Sequence, residues 1–147
     1  MFKFLISIIL SYLIGCINPA YLLAKFKGFD IRKKGTKNAG TLNTFQTLGL
    51  IPAFFVFIID AGKGILSFYL AKEIFLLPEL YMYFSSLFVI IGHRYPFYLN
   101  FKGGKGVAAG IGLFFAAFAY RSTLQYWAQF DIFLLAVYFI TRFLFKK

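Results

Sequence analysis

Lys102 and Lys105 bracket Gly103 and Gly104, and Gly106 follows, in the run Phe101-Lys102-Gly103-Gly104-Lys105-Gly106-Val107. These residue types suit an anion. Glycines let the backbone turn tightly and bring N–H groups close to an oxyanion, and the two ammonium groups add positive charge. An apolar stretch begins at Val107, so the turn leads into a helix N-terminus, whose unpaired N–H groups and positive dipole end favour a phosphate. The spacing is not the Gly-x-x-x-x-Gly-Lys-Ser/Thr of a nucleotide-binding loop, which argues against an NTPase. As a plain basic turn the same residues would meet lipid head groups.

A second constellation lies in Asp30-Ile31-Arg32-Lys33-Lys34-Gly35-Thr36-Lys37-Asn38-Ala39-Gly40-Thr41-Leu42-Asn43. It interleaves cations with amides, hydroxyls and glycines, the groups that hydrogen-bond a phosphorylated polyol. Membrane topology accounts for the cations alone, but it does not require the Thr, Asn and Gly content. Asp60 and Lys63 stand within an apolar stretch, three residues apart. That spacing puts them on one helix face, as a structural ion pair or as a polar contact for substrate. His93 is the one histidine in the chain; such a residue serves as a general base, a phosphate donor or a hydrogen-bonded interface residue. With one His and one Cys, Cys16, neither a His-rich nor a Cys-based metal site is expected, and no intramolecular disulfide.

These groups need elements to hold them, and composition says what kind. Of 147 residues 61% are hydrophobic, 22% aromatic and only 14% charged, with a mean hydropathy of +0.76. Soluble domains are about 45–50% apolar and about a quarter charged, so the expected solvent is lipid. Five apolar segments are read, over residues 4–24, 50–71, 80–97, 107–120 and 132–145. A straight span takes about 20 residues, so the last two are short. The net charge of +11 would suggest nucleic acid in a soluble protein. Here it reads as positive-inside topology: with the N-terminus outside, only Lys3, Lys72 and Arg121 fall on the outer side. No nucleic-acid partner is expected. Leu13-Ile14-Gly15-Cys16 has the form of a lipoprotein cleavage site, but the apolar run continues past Cys16 and further spans follow. The expected fold is all-α, a polytopic membrane helix bundle of about five transmembrane segments forming one domain over residues 1–147. The loop 25–49 and the turn 92–106 both fall on its cytoplasmic side.

Taken in register, the motifs resemble those of the bacterial acyl-phosphate-dependent glycerol-3-phosphate acyltransferase family. Gly15-Cys16-Ile17-Asn18-Pro19-Ala20-Tyr21-Leu22-Leu23-Ala24-Lys25 is similar to the family's first helix. Asp30-Ile31-Arg32, Gly35 to Asn43 and Thr47-Leu48-Gly49 are similar to its first cytoplasmic motif. Asp60 with Lys63-Gly64 matches its second helix. Gly92-His93, Pro96 and Phe101 to Ala108 resemble its second motif.

The resemblance implies transfer of an acyl chain from acyl phosphate to glycerol 3-phosphate, giving 1-acylglycerol 3-phosphate, an early step of phospholipid synthesis. It implies a bacterial inner-membrane location with a cytoplasmic active face, and neither metal nor cofactor. The implied catalytic residues are Thr36, Lys105 and His93. Asn38, Gly40, Asn43, Lys102, Gly103, Gly104, Gly106, Asp60 and Lys63 are implied to bind or position substrate. This chain has Thr36 where the family has Ser, Lys37 where it has Gly, and Gln46 where it has an important Arg. The family also continues beyond Thr141-Arg142-Phe143 with further membrane segments and a third motif carrying His and Asn. The sequence is thus expected to be a fragment, a degenerate homologue, or one that relies on a partner. Two other classes are a non-catalytic membrane binder of phosphorylated ligands and a small transporter. The latter should show inverted repeats and broken helices, and neither is read.

Overall fold

The computed structural model describes residues 1–122, 134–140 and 142. Among them all regular structure is helical: α1 (Phe2–Cys16), α2 (Pro19–Phe26), α3 (Thr41–Leu48), α4 (Leu50–Tyr69), α5 (Glu79–Arg94) and α6 (Val107–Ser122). Residues 134–140 and 142 are helical too; the rest of the expected fifth segment lies outside the described residues. Among the described residues two stretches are long and apolar enough to cross a bilayer, Phe2–Phe26 and Leu50–Ile74, and Val107–Arg121 is a shorter apolar helix.

The first stretch is broken, against the expectation of unbroken helices. Ile17 leaves helical geometry, and Asn18 caps α2 by accepting from the Tyr21 N–H at 2.9 Å. Pro19 then takes the first helical position, where its missing N–H costs nothing. The expected loop 25–49 contains an unforeseen helix, α3. Gly49, at φ +92°, turns the chain from α3 into α4. Beyond Tyr69 the second stretch continues as a π-helical turn, Leu70–Ile74. The third ends at Arg94 rather than at residue 97, because Pro96 disfavours helix in the residue before it.

The helices pack in two close pairs, α1 on α5 and α4 on α6. Each pair meets through reciprocal glycines. Gly15 lies against the Val89 carbonyl and Gly92 against that of Tyr12; Gly64 lies against the Ala109 carbonyl and Gly112 against that of Ala61. A Cβ at any of the four would strike backbone, so the glycines set the interaxial distance, as in lipid-embedded bundles generally. Serines add to this packing: Ser7 donates to Ser85 at 3.0 Å within the α1–α5 pair, and Ser67 of α4 donates to Ser11 of α1 at 2.8 Å, joining the two pairs. Phe68, Met82, Val89, Ile90 and Leu113 form the core between α4, α5 and α6. Outside, Leu5, Ile9 and Leu13 on α1 and Phe54, Ile58 and Ile65 on α4 are exposed. Apolar side chains both inside and out suit a lipid solvent.

α1, α5 and α6 are each 15 or 16 residues long, about 22–24 Å. The α1–α2 break and the loop after α5 lie with α3 at one end of the bundle, where the polar residues gather.

Candidate active site

A cleft of about 660 Å³ opens between α3, the first half of α4 and the start of α6. Its polar wall carries Asn38, Asp60, His93, Lys105 and Gly106; its apolar wall carries Leu42, Phe45, Leu50, Phe54, Phe57 and Ile111. Leu50, Ala53, Phe54, Phe57 and Asp60 recur at helical spacing, so one face of α4 supplies both characters.

The loop before α3 is folded around one side chain. Asn43 is fully buried. Its Oδ1 accepts from the Thr36 N–H at 2.8 Å, and its Nδ2 lies 2.9, 3.0 and 2.9 Å from the carbonyl oxygens of Ile31, Lys34 and Asn38. Expected among the substrate contacts, Asn43 has both polar ends engaged by the loop itself. A second tie comes from Asn18, which donates to the Ala39 carbonyl at 3.1 Å.

Arg32 joins this loop to the glycine turn. Its guanidinium forks onto Asp30 at 2.8–3.2 Å, reaches the carbonyls of Leu99 at 2.8 Å and Lys102 at 3.3 Å, and lies over the Tyr21 ring at 5.0 Å. The Arg32 hydrogen bond holds the Asp30 carboxyl below its usual range, against the opposing effect of burial. Sequence reading quoted Arg32 as one cation among several. Its bridging role spans 67 residues of chain and leaves no local signal.

In the turn, the glycines act differently from the expectation of an N–H cradle. The Gly103 and Gly104 N–H groups donate to the carbonyls of Arg94 at 3.0 Å and His93 at 3.1 Å, closing the end of α5. Both positions need the absence of a Cβ. One on Gly103 would meet the His93 carbonyl and Pro96; one on Gly104 would meet His93 Nε2 and the Ala39 carbonyl. The amides available to an anion shift to the start of α6. There helix geometry leaves the N–H groups of Val107, Ala108 and Ala109 without intrahelical acceptors, beside Lys105 and Gly106 at the cleft.

Behind the cleft, Asp60, Lys63 and His93 form one buried cluster. Lys63 Nζ lies 2.8 Å from Asp60 Oδ1 and 2.9 Å from His93 Nδ1. It also donates to the carbonyls of Gly15 at 3.2 Å and Ile17 at 2.7 Å. These carbonyls belong to the break between α1 and α2. The structure thus brings together Asp60, Lys63 and His93, and around the cleft Asn38, Gly40, Asp60, His93, Lys105 and Gly106. It leaves Thr36 and Lys102 exposed and outside the cleft lining.

An all-helical bundle with apolar flanks and a cleft at one end lined by both polar and apolar residues defines the class, a helical membrane protein. A sequence profile described as Glycerol-3-phosphate acyltransferase matches residues 5–146, and the chain belongs to that family. A glycerol-3-phosphate acyltransferase of Prochlorococcus marinus (strain MIT 9515) is 41% identical over 113 residues, covering 76% of this chain and 57% of the relative. Glycerol-3-phosphate acyltransferase 2 of Moorella thermoacetica is 37% identical over 125 residues, covering 84% and 62%. The chain spans about three fifths of these relatives' length. The crystal structure of PlsY (YgiH), an integral membrane glycerol 3-phosphate acyltransferase in its glycerol 3-phosphate form, matches at TM-score 0.73 and 34% identity, covering 90% of this chain and 66% of that one. Its lysophosphatidic acid form matches at TM-score 0.70.

Proposed function

We propose that this chain carries the donor-and-acceptor cleft of a membrane acyltransferase that moves an acyl group from acyl phosphate to glycerol 3-phosphate, releasing phosphate and 1-acylglycerol 3-phosphate. The observation that carries the reading is the cleft's mixed lining. Lys105, His93, Asn38 and the start of α6 offer groups for an anionic head, and Phe45, Leu50, Phe54 and Phe57 offer apolar surface for a tail. A phosphorylated head with an acyl tail has that polarity, and so does the lysophosphatidic acid of the PlsY form.

On this reading catalysis is placement plus charge neutralisation. Acyl phosphates are already activated, so the glycerol hydroxyl needs orientation toward the carbonyl. Holding two reactants in line supplies on the order of 7–11 kcal/mol. Lys105 and the α6 amides stabilise the departing phosphate electrostatically. Asn38 and Gly40 border the acceptor, and Asn43 and Thr36 act by shaping their loop. Gly103 and Gly104 supply the room that lets the turn sit against His93, and Lys102 adds charge at the rim. The chain acts as a single domain of about five spans in a bacterial inner membrane. Its N-terminus lies outside and its cleft faces the cytoplasm, consistent with Lys25, Lys27, Lys34, Lys102 and Lys105 clustering at the cleft end.

The test is a direct assay of purified protein with acyl phosphate and labelled glycerol 3-phosphate. Labelled lysophosphatidate is expected; a folded protein that binds glycerol 3-phosphate without turnover refutes the reading. Reporter fusions are expected to place residues 30–43 and 101–106 together on the cytoplasmic side and the N-terminus opposite.

A further inference from the structure

We infer that Lys63 is a positioning residue that sets the tautomer of His93, making it a hydrogen-bond donor toward the cleft rather than a base. Four acceptors surround Lys63 Nζ at hydrogen-bonding distance: Asp60 Oδ1, the carbonyls of Gly15 and Ile17, and His93 Nδ1. Three N–H groups are what an ammonium has, and it has no lone pair to accept with. Asp60 Oδ1, 2.8 Å from Nζ, also supplies the countercharge. Four acceptors share three N–H groups, and each of them, His93 Nδ1 included, faces a donor.

Because the ammonium can only donate, Nδ1 of His93 must accept. The neutral ring then carries its proton on Nε2. That nitrogen lies on the opposite edge of the ring, against Gly104 and beside the cleft that His93 lines. His93 so held offers an N–H to an anionic or carbonyl oxygen and has no lone pair free to take a proton. Asp60 is the competitor. Its Oδ1 sits 3.4 Å from the same Nδ1, so without Lys63 the ring proton moves to Nδ1 to satisfy that oxygen. Nε2 would then present a lone pair to the cleft. Lys63 therefore chooses between two hydrogen-bonding faces of one ring. Through Gly15 and Ile17 it couples that choice to the α1–α2 break.

The tautomer follows from the geometry with Lys63 as the ammonium that pairs with Asp60; its catalytic consequence rests on the acyl-transfer reading. His93 is the one histidine of the chain, so ¹⁵N-histidine labelling of the whole protein in lipid nanodiscs gives two ring signals and no others. Spectra are recorded at a pH above which they no longer change. The expected result is a protonated Nε2 and an unprotonated Nδ1, with the pattern exchanged in Lys63→Met. A protonated Nδ1 in the wild type overturns the inference without any variant, so a Lys63→Met protein that fails to fold leaves the test intact. An unchanged pattern in folded Lys63→Met overturns it as well. In the assay, Lys63→Met is expected to lower kcat about 100-fold, as loss of one transition-state donor does, with KM for glycerol 3-phosphate little changed. Protonated Nε2 without turnover in the wild type would sink the acyl-transfer reading and leave the positioning role standing. Turnover with protonated Nδ1 would do the reverse.

Discussion

The two segments that frame the cleft reach order by opposite means. Residues 30–43 are held by side chains reaching backbone: Asn43 to three carbonyls and one N–H, Asn18 to Ala39, and Arg32 outward to Leu99. Residues 95–106 close on themselves through backbone reaching backbone, with Gly103 and Gly104 completing the last turn of α5, and side chains tie them outward, Tyr12 to the Tyr95 carbonyl and Arg32 to those of Leu99 and Lys102. The first segment is thus sensitive to losing atoms, and the second to gaining them. Substitutions that remove or add a single group should separate the two.

The largest effect is expected where an atom is added. In Gly104→Ala the new methyl meets both the Ala39 carbonyl and His93 Nε2, and the carbonyl cannot rotate away. Overpacking of this kind costs about 1–3 kcal/mol. The displacement falls on the contact between the two segments, and small misplacements cost about 100-fold in rate. Lysophosphatidate formation should drop at least that far while the protein remains folded by size-exclusion profile.

Removing atoms from the other segment should cost stability first. Asn43→Ala leaves the carbonyls of Ile31, Lys34 and Asn38 and the Thr36 N–H without their partner. A loss of about 3 kcal/mol is expected, read as a lowered Tm in detergent and faster amide exchange confined to residues 30–40. Exchange that rises equally in 95–106 would show that the two segments do not order separately.

Arg32→Lys tests the link between them. A lysine keeps the charge but loses the fork onto Asp30 and the flat contact with Tyr21. A loss of about 1 kcal/mol is expected, with faster exchange in both segments. The same link has a pH signature. Asp30 titrates below its usual value in the folded protein, so its contribution is present above about pH 4, the ordinary carboxylate range. It is lost as pH falls through the folded value. Acid should lower Tm less in Asp30→Asn than in the wild type.

How far the sequence reached follows from what each feature depends on. Helices α4, α5 and α6 were legible because long apolar runs end at Gly, Pro or charge. The α1–α2 break was written in Asn18-Pro19, a dipeptide that caps and starts a helix, but the apolar run on either side masked it. The Asp60–Lys63 pair was legible from its i, i+3 spacing, whereas its meeting with His93 depends on how α4 packs against α5, 30 residues away in the chain. The glycines of the turn were read as an anion cradle, and the packing adds a second demand on them, room against His93 and Ala39. A sequence says that a Cβ is absent, and only the packing says whether the space admits an anion or a neighbouring carbonyl.

Lys37 carries the smallest expected effect, and it sharpens the contrast from the stabilising side. It sits at φ +57°, in the left-handed region that costs a side-chain-bearing residue roughly 1–2 kcal/mol. The resembling family has glycine there, so this chain holds a strained backbone where relief is available. Lys37→Gly removes the strain and loosens the unfolded chain, and those effects partly cancel. A net gain of about 0.5–1 kcal/mol is expected, seen as a higher Tm with exchange slowed only in residues 30–40. If turnover also falls, the Lys37 charge contributes to catalysis in a chain that has Gln46 where the resembling family carries arginine; if turnover holds, Lys105 and the start of α6 suffice to meet the phosphate.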